Sequence, residues 1–291
     1  NPWIYDFAAY DFWMKPLGLL ALGGLLRANR HRVSYIDCLN PYSPSMLNKT
    51  GKAPRRHAYG HGRFFRQVIE KPSALQAFPR SYCRYGMDPD VFRSELGRFP
   101  DTDVVMVTSM MTYWYPGVFD AVRMIREILP GVPVVLGGKY ASLCYEHALA
   151  ESGADYVIRG RGEKKILELL LSVFGEDILF EPDENDLDAL PYPAFDLADH
   201  IDQVPLITSL GCPYRCSYCS SPLFYKQYLR RDSGKVADEI EYWQKNFGVR
   251  DFSFYDDALL VNPEHMIVPL LHDLKRRGLS CRFHCPNGLH V

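Results

Sequence analysis

Residues 210–222 read LGCPYRCSYCSSP and place three of the chain's eight cysteines, Cys212, Cys216 and Cys219, within eight positions. Hydrophobic packing gives no reason to gather three thiols so closely. Residues 206–210 are predicted to form a strand, so the cysteines follow its carboxyl end, where α/β barrels build their active sites. Because iron–sulfur clusters take cysteine thiolates as ligands, the C-x3-C-x2-C spacing predicts one loop that supplies three ligands to one cluster.

A structural zinc site is the main alternative for these thiols, since Cys281 or Cys285 could supply a fourth ligand. Structural zinc sites more often use two C-x2-C pairs, and this sequence contains no second pair with that spacing. Three thiols with a purely structural role are the remaining interpretation. Cys281 and Cys285 themselves are predicted to be buried thiols rather than ligands.

The composition is that of an ordinary globular protein, with 47% hydrophobic and 23% charged residues in 291, enough for two domains with buried cores. A net charge of −2, from 33 basic and 35 acidic residues, gives no electrostatic argument for nucleic acid or an anionic membrane as partner. The longest apolar run, residues 17–26, is interrupted by glycines and too short to span a bilayer. The cysteines lack the dense, regular spacing of a secreted disulfide scaffold, so we predict a cytoplasmic location.

Apolar strand-like runs alternate with amphipathic helical stretches, the pattern of βα units around a parallel sheet. We predict an α/β protein with a Rossmann-like doubly wound domain over residues 1–175, interrupted by a basic, tyrosine-rich insertion at about residues 43–100. An acidic, proline-containing linker is predicted over residues 176–203, and a second βα series over residues 204–291. The chain begins without Met and stops within this second series, so we expect a fragment whose C-terminal domain is incomplete.

The run CPYRCSYC, from Cys212 to Cys219, resembles the C-x3-C-x-aromatic-C motif of radical S-adenosylmethionine (SAM) enzymes. The resemblance implies a truncated (β/α) partial barrel that carries a [4Fe-4S] cluster on Cys212, Cys216 and Cys219. It also implies that SAM binds the fourth iron, with Tyr218 beside its adenine. One electron from an external donor would then cleave SAM to methionine and a 5′-deoxyadenosyl radical, which would act on a small-molecule or other substrate that the sequence does not identify.

The stretch FSFYDDALL, residues 252–260, ends a predicted strand in Asp256-Asp257, one βα unit after the cysteine loop. The radical SAM family places contacts to the SAM amino group at this strand end, and an ammonium group favours a neighbouring carboxylate. The resemblance therefore implies that Asp256 and Asp257 bind SAM. The alternative is that two acids cap the next loop.

Three further segments, residues 108–117, 132–142 and 153–163, resemble the cobalamin-binding-type domain that precedes many radical SAM domains. They read TSMMTYWYPG, VPVVLGGKYAS and GADYVIRGRGE. Each combines the end of a predicted strand with a turn, as ligand-binding edges of doubly wound folds do.

Ser109 and the pair Gly137-Gly138 are the predicted cobalamin-binding residues, because they follow neighbouring strands. The glycines would let a large flat ring or a nucleotide tail approach the backbone. The family's cobalt-ligating motif, D-x-H-x-x-G, is absent. Either cobalamin binds without a protein histidine on cobalt, or the domain keeps the fold and has lost the cofactor.

Taken together, these residues predict a radical SAM enzyme, with methyl transfer or rearrangement through cobalamin if cobalamin binds. The rival hypothesis is a non-catalytic scaffold whose cysteines hold structural zinc or an electron-transfer iron–sulfur cluster. A third hypothesis is a folded fragment that is inactive because its barrel is cut.

Overall fold

The computed structural model describes residues 1–289 and shows a mixed α/β protein with two parallel sheets, which confirms the predicted α/β class. The strands, in chain order, are β1 (Ile4–Asp6), β2 (Arg66–Val68), β3 (Cys83–Tyr85), β4 (Val105–Ser109), β5 (Val134–Gly137), β6 (Tyr156–Val157), β7 (Val204–Leu206), β8 (Ser209–Leu210), β9 (Leu229–Arg230), β10 (Asp251–Phe254) and β11 (Arg282–His284). The α-helices are α1 (Leu17–Ala28), α2 (Pro44–Thr50), α3 (Pro89–Leu96), α4 (Tyr115–Ile128), α5 (Gly138–Leu143), α6 (Tyr145–Glu151), α7 (Glu163–Leu169), α8 (Ser221–Phe224), α9 (Ser233–Phe247) and α10 (Ile267–Arg276). Across this described part of the chain, no helix is long and apolar enough to cross a membrane.

The chain forms two compact units. The N-terminal unit consists of Asn1–Asp11, Ser34–Gly162 and Leu197–His200. The C-terminal unit consists of Phe12–Val33, Glu163–Asp196 and the chain from Ile201 onward.

The N-terminal unit is built on a parallel sheet in the order β4-β5-β6. Val134 and Leu136 in its central strand are fully buried, as expected for an apolar run covered on both faces. Helix α4 buries Val118, Val122 and Ile125, which lie on one helical face at spacings of three and four residues. These elements match the predicted strand–helix–strand rhythm.

The stretch predicted as an insertion, residues 43–100, contains α2, β2, β3 and α3. Strand β3 pairs antiparallel with both β1 and β2, which gives a second sheet in the order β1-β3-β2. The stretch is therefore joined to the first residues of the chain through Ile4–Asp6 and belongs to the N-terminal unit.

The C-terminal unit contains a parallel sheet in which β10 lies between β7 and β11. Helix α9 connects β7 to β10, and α10 connects β10 to β11, so each new strand is added beside the previous one. Helix α9 begins at Asp232, whose side chain accepts hydrogen bonds from the amides of Gly234 and Lys235, and ends at Gly248 in the left-handed conformation. The short pair β8-β9 is antiparallel and follows β7.

The division of the chain differs from the predicted boundary at residue 175. Helix α1 belongs to the C-terminal unit, because the buried Asn29 at its end accepts hydrogen bonds from the amides of Leu179 and Phe180, at 2.9 Å each. The amide of Ala194 also donates to the carbonyl of Leu20, at 2.9 Å. The predicted linker, residues 176–203, thus contacts α1 at residues 179, 180 and 194.

Candidate functional site

The cysteine loop leaves the C-terminal unit at the carboxyl edge of its parallel sheet. It starts from β8, immediately after β7, and passes through Gly211 at φ +82°. A Cβ atom on Gly211 would lie 2.8 Å from the carbonyl oxygen of Gln227, so only glycine fits this turn without a backbone shift. The loop ends at α8, and its start is where the sequence predicted it.

All eight cysteines of the chain are free thiols. Cys212 is half-buried, whereas Cys216 and Cys219 are exposed and joined by a turn in which the Cys219 amide donates to the Cys216 carbonyl, at 3.0 Å. Within residues 1–289 no group of three His, Cys, Asp or Glu side chains is arranged as a set of metal ligands, and this includes the three loop cysteines. Three accessible thiols on one loop nevertheless fit an iron–sulfur cluster by donor chemistry, so their role as ligands stays a prediction.

Asp256 lies at the same edge of the sheet, directly beyond β10, and is only 3% exposed. Its carboxylate accepts hydrogen bonds from the Thr208 amide at 3.1 Å, the Thr208 hydroxyl at 2.7 Å and the Ser209 hydroxyl at 2.7 Å. Burial raises the pKa of Asp256, although the hydrogen bonds from Ser209 and Thr208 act in the opposite direction. This carboxylate is engaged inside the protein, at the base of the cysteine loop, and the predicted contact to SAM stays untested.

Asp257 is exposed and accepts a hydrogen bond from the hydroxyl of Ser221, at the start of α8. The Ser221 amide in turn donates to the Cys219 sulfur, at 3.4 Å. Tyr218, the aromatic residue of the motif, is 90% exposed, so its ring is free to lie against a bound ligand.

Sequence reasoning did not identify the hydroxyl residues that contact the two aspartates. Ser221 could have been noticed because it immediately precedes Pro222, and a serine–proline pair is typical of a helix start. Thr208 and Ser209 carry no comparable signal, since their role depends on a partner almost 50 residues away in the chain.

Cys281 and Cys285, which were predicted to be buried thiols, flank β11 and are half-buried. Burial raises the pKa of Cys281 to about 11, with a smaller opposing effect from its hydrogen bond with Gln244. Burial, together with the charge of Asp256, also raises the pKa of Cys285. Burial thus disfavours the thiolate form of both cysteines, which is the form that binds metals.

In the N-terminal unit, a small crevice lies at the carboxyl end of β4. Ser109 contributes to it but is buried, and its hydroxyl donates to the Met111 carbonyl at 2.8 Å. The residues lining the crevice are Asn1, Pro2, Trp3, Ile4, Leu39, Thr108, Ser109, Met110 and Trp114. The position agrees with the predicted binding edge, although the Ser109 hydroxyl already has a main-chain partner.

Gly137 and Gly138 have different surroundings. Gly137 is extended, at φ −133°, and a Cβ atom built there meets no atom within 4 Å. Gly138 has φ +92°, and its Cβ would lie 2.5 Å from the Ser109 carbonyl oxygen and 2.7 Å from the Thr108 hydroxyl. Gly138 is thus required by the close contact between β4 and β5, while Gly137 keeps open space at the sheet edge.

His147 is held by aromatic neighbours. Its Nδ1 is 2.6 Å from the Tyr140 hydroxyl, and its ring is stacked on Phe119. This environment explains the histidine without a cobalt-ligating role, in agreement with the missing D-x-H-x-x-G motif.

These observations define an α/β protein with two parallel sheets, each carrying candidate ligand-binding residues at its carboxyl edge. Comparison with known proteins agrees with this description. Residues 82–170 match the family model of the B12 binding domain.

An uncharacterized methyltransferase, PH0819, of Pyrococcus horikoshii is 27% identical over 207 residues, which cover 62% of this chain and 45% of that protein. The anaerobic magnesium-protoporphyrin IX monomethyl ester cyclase of Synechocystis is 26% identical over 215 residues, which cover 61% of this chain and 43% of the cyclase. Among solved structures, the radical SAM methyltransferase TsrM from Kitasatospora setae, with cobalamin and a [4Fe-4S] cluster bound, is similar with a TM-score of 0.48 and 21% identity, over 65% of this chain and 43% of TsrM.

The family-model match confirms the predicted resemblance of the N-terminal part to a cobalamin-binding-type domain, and the relatives named above are a methyltransferase and a cyclase. The chain spans less than half the length of the curated relatives described here.

Proposed function

We propose that this chain is the cobalamin-binding domain and the first part of the catalytic barrel of a radical SAM enzyme that acts on a substrate by methyl transfer or a related reaction. One observation carries the proposal: a B12-binding match over residues 82–170 precedes a three-cysteine loop at the carboxyl edge of a βαβαβ sheet, in the same chain. In this proposal the sheet β4-β5-β6 is the core of a Rossmann-like domain, and β7, β10 and β11 are the first strands of a (β/α) barrel.

The proposed roles of the residues follow from their surroundings. Cys212, Cys216 and Cys219 would hold a [4Fe-4S] cluster, because they are accessible thiols on one loop. Tyr218 would lie against the adenine of SAM, and the open space at Gly137 would accept part of cobalamin. When bound, these groups supply one-electron cleavage of SAM and the transfer of a methyl group.

The names of the relatives favour an enzyme over a scaffold, since PH0819 is named a methyltransferase and the Synechocystis protein a cyclase. The substrate is not proposed, because the relatives differ in what they act on.

Anaerobic reconstitution with iron and sulfide tests the cluster. We expect about four irons per chain and a broad brown absorbance. Cys216→Ala should lose most of this iron, whereas Cys281→Ser, a matched thiol outside the loop, should retain it. Zinc without sulfide in the purified protein, or equal iron in Cys216→Ala and wild type, would contradict the proposal.

Activity is tested in a longer form of the protein that contains the complete barrel. Incubation with SAM and dithionite should release 5′-deoxyadenosine or a demethylated SAM product, and the Cys216→Ala form should release neither. A protein that holds the cluster but leaves SAM intact would support the electron-transfer alternative instead.

A further inference from the structure

We infer that the neighbouring carboxylates Asp256 and Asp257 fix the two ends of the cysteine loop and, through Ser221, set a hydrogen bond to the sulfur of Cys219. We call these two residues the aspartate clamp. The inference rests on the proposed function, because it assigns positioning roles for a cluster that the loop would carry.

The first half of the clamp holds the start of the loop. Asp256 accepts three hydrogen bonds from Thr208 and Ser209, and all three residues are at most 3% exposed. A buried carboxylate is stable only when its oxygens are well hydrogen-bonded, so this network favours a single geometry. Ser209 is separated from Cys212 by only Leu210 and Gly211, and Gly211 packs tightly against Gln227.

The second half of the clamp holds the end of the loop. Asp257 accepts the hydroxyl hydrogen of Ser221, which is 7% exposed, and the Ser221 amide points at the Cys219 sulfur from 3.4 Å. The carboxylate therefore orients a backbone donor toward a predicted cluster ligand. Hydrogen bonds to cluster sulfurs stabilise the more electron-rich reduced form and so raise its reduction potential.

The two halves act together because Asp256 and Asp257 are consecutive residues, with Cα atoms about 3.8 Å apart. Both follow β10, whose last residue Phe254 pairs with Leu206 of β7. The sheet thus determines where both ends of the loop are held. Because folding orders the loop largely before any metal binds, little of the entropic cost of ordering it opposes metal binding.

Ser221→Ala is the decisive variant, because it removes the hydroxyl through which Asp257 orients the residue 221 amide toward Cys219, and it leaves both that amide and the charge of Asp257 in place. In the reconstituted protein we expect a shift of the cluster's midpoint potential to more negative values, measured by an EPR-monitored redox titration. We also expect several-fold faster loss of iron to a chelator. Asp257→Ala should lose iron equally fast, whereas Asp257→Asn, which can still accept from the Ser221 hydroxyl, should retain iron as the wild type does.

Asp177→Ala serves as the control, since Asp177 is an exposed carboxylate of the same unit outside the loop. Wild-type potential and iron retention in Ser221→Ala would overturn the inference. Equal defects in Asp257→Asn and Asp257→Ala would also overturn it, because the residue would then act through its charge, as direct contact with the SAM amino group requires.

Hydrogen exchange of the metal-free protein separates the clamp from the proposed function. The clamp predicts faster amide exchange over residues 208–221 in Asp257→Ala than in Asp177→Ala, with no cluster present. If wild-type protein binds no iron, the proposed function fails while this comparison still tests the clamp. If iron binds normally and exchange is unchanged, the clamp alone fails.

Discussion

Alanine substitutions at Gly137 and Gly138 should have opposite consequences, although the two residues are adjacent. At Gly138 an alanine would adopt φ +92°, which costs about 1–3 kcal/mol for a residue with a side chain. Its Cβ would also lie 2.5 Å from the Ser109 carbonyl oxygen, and such overpacking typically costs about 1–3 kcal/mol more. We therefore expect Gly138→Ala to lower the free energy of unfolding of the N-terminal unit by roughly 2–6 kcal/mol.

At Gly137 the backbone is extended, and the added Cβ meets no atom within 4 Å. A Gly→Ala change at a compatible position stabilises a protein by about 0.4–1 kcal/mol, because the unfolded chain loses conformational freedom. Urea denaturation followed by fluorescence measures both changes. Equal stability losses at the two positions would refute the assignment of Gly138 to packing and Gly137 to open space.

The same pair tests cobalamin binding. Gly137→Phe should fill the open space while the protein stays folded, so we expect it to retain much less hydroxocobalamin than wild type after gel filtration. The visible spectrum of wild-type complex should show no imidazole ligated to cobalt, because the D-x-H-x-x-G motif is absent. Stoichiometric corrin in both wild type and Gly137→Phe would place the ligand elsewhere, and no corrin in either would favour a domain that has lost the cofactor.

Two further predictions concern the stability of the C-terminal unit. Burial acts to raise the pKa of Asp251, but hydrogen bonds from Arg282 and His284 outweigh it and hold that pKa below its usual value. A carboxyl group whose pKa is depressed in the folded state stabilises the fold above its unfolded-state pKa of about 4, and this stabilisation is lost as the pH falls through the folded-state pKa. The urea concentration at the unfolding midpoint should therefore decrease as the pH falls below about 5, and Asp251→Asn should flatten this dependence. An unchanged pH profile would contradict this explanation. Asn29→Ala should cost roughly 2–4 kcal/mol, because the amides of residues 179–180 lose their acceptor, and a urea-measured change near zero would contradict that account.

The sequence predicted the parts of the fold that depend on local pattern. The buried strand β5 reads as a continuous apolar run, and α4 as an amphipathic helix, because each is covered by neighbours along its length. The positions of the cysteine loop after β7 and β8 and of Asp256 after β10 followed from the same alternation of strands and helices. The predicted ligand-binding roles of these residues remain predictions.

The parts that could not be predicted depend on contacts between distant residues. Strands β2 and β3 have only three residues each, too few to show a period, and their sheet is completed by Ile4–Asp6 near the start of the chain. Helix α1 has an ordinary helical pattern, and nothing in that pattern shows that Asn29 will bind the main chain at Phe180. For this reason the domain boundary could not be inferred from the periodicity.

The two doublets in the predicted sites, Gly137-Gly138 and Asp256-Asp257, show why a site cannot be assigned from residue type alone. In each doublet one member is engaged within the protein: Gly138 against Ser109, and Asp256 with buried hydroxyl donors. The other member faces outward, since Gly137 borders open space and Asp257 is exposed. The two members of each doublet differ because of contacts with residues distant in the chain, which residue type does not show. A substitution at the inner member, Gly138 or Asp256, therefore perturbs the fold directly, whereas the effect on binding of a substitution at Gly137 or Asp257 has to be compared with its effect on stability or loop order.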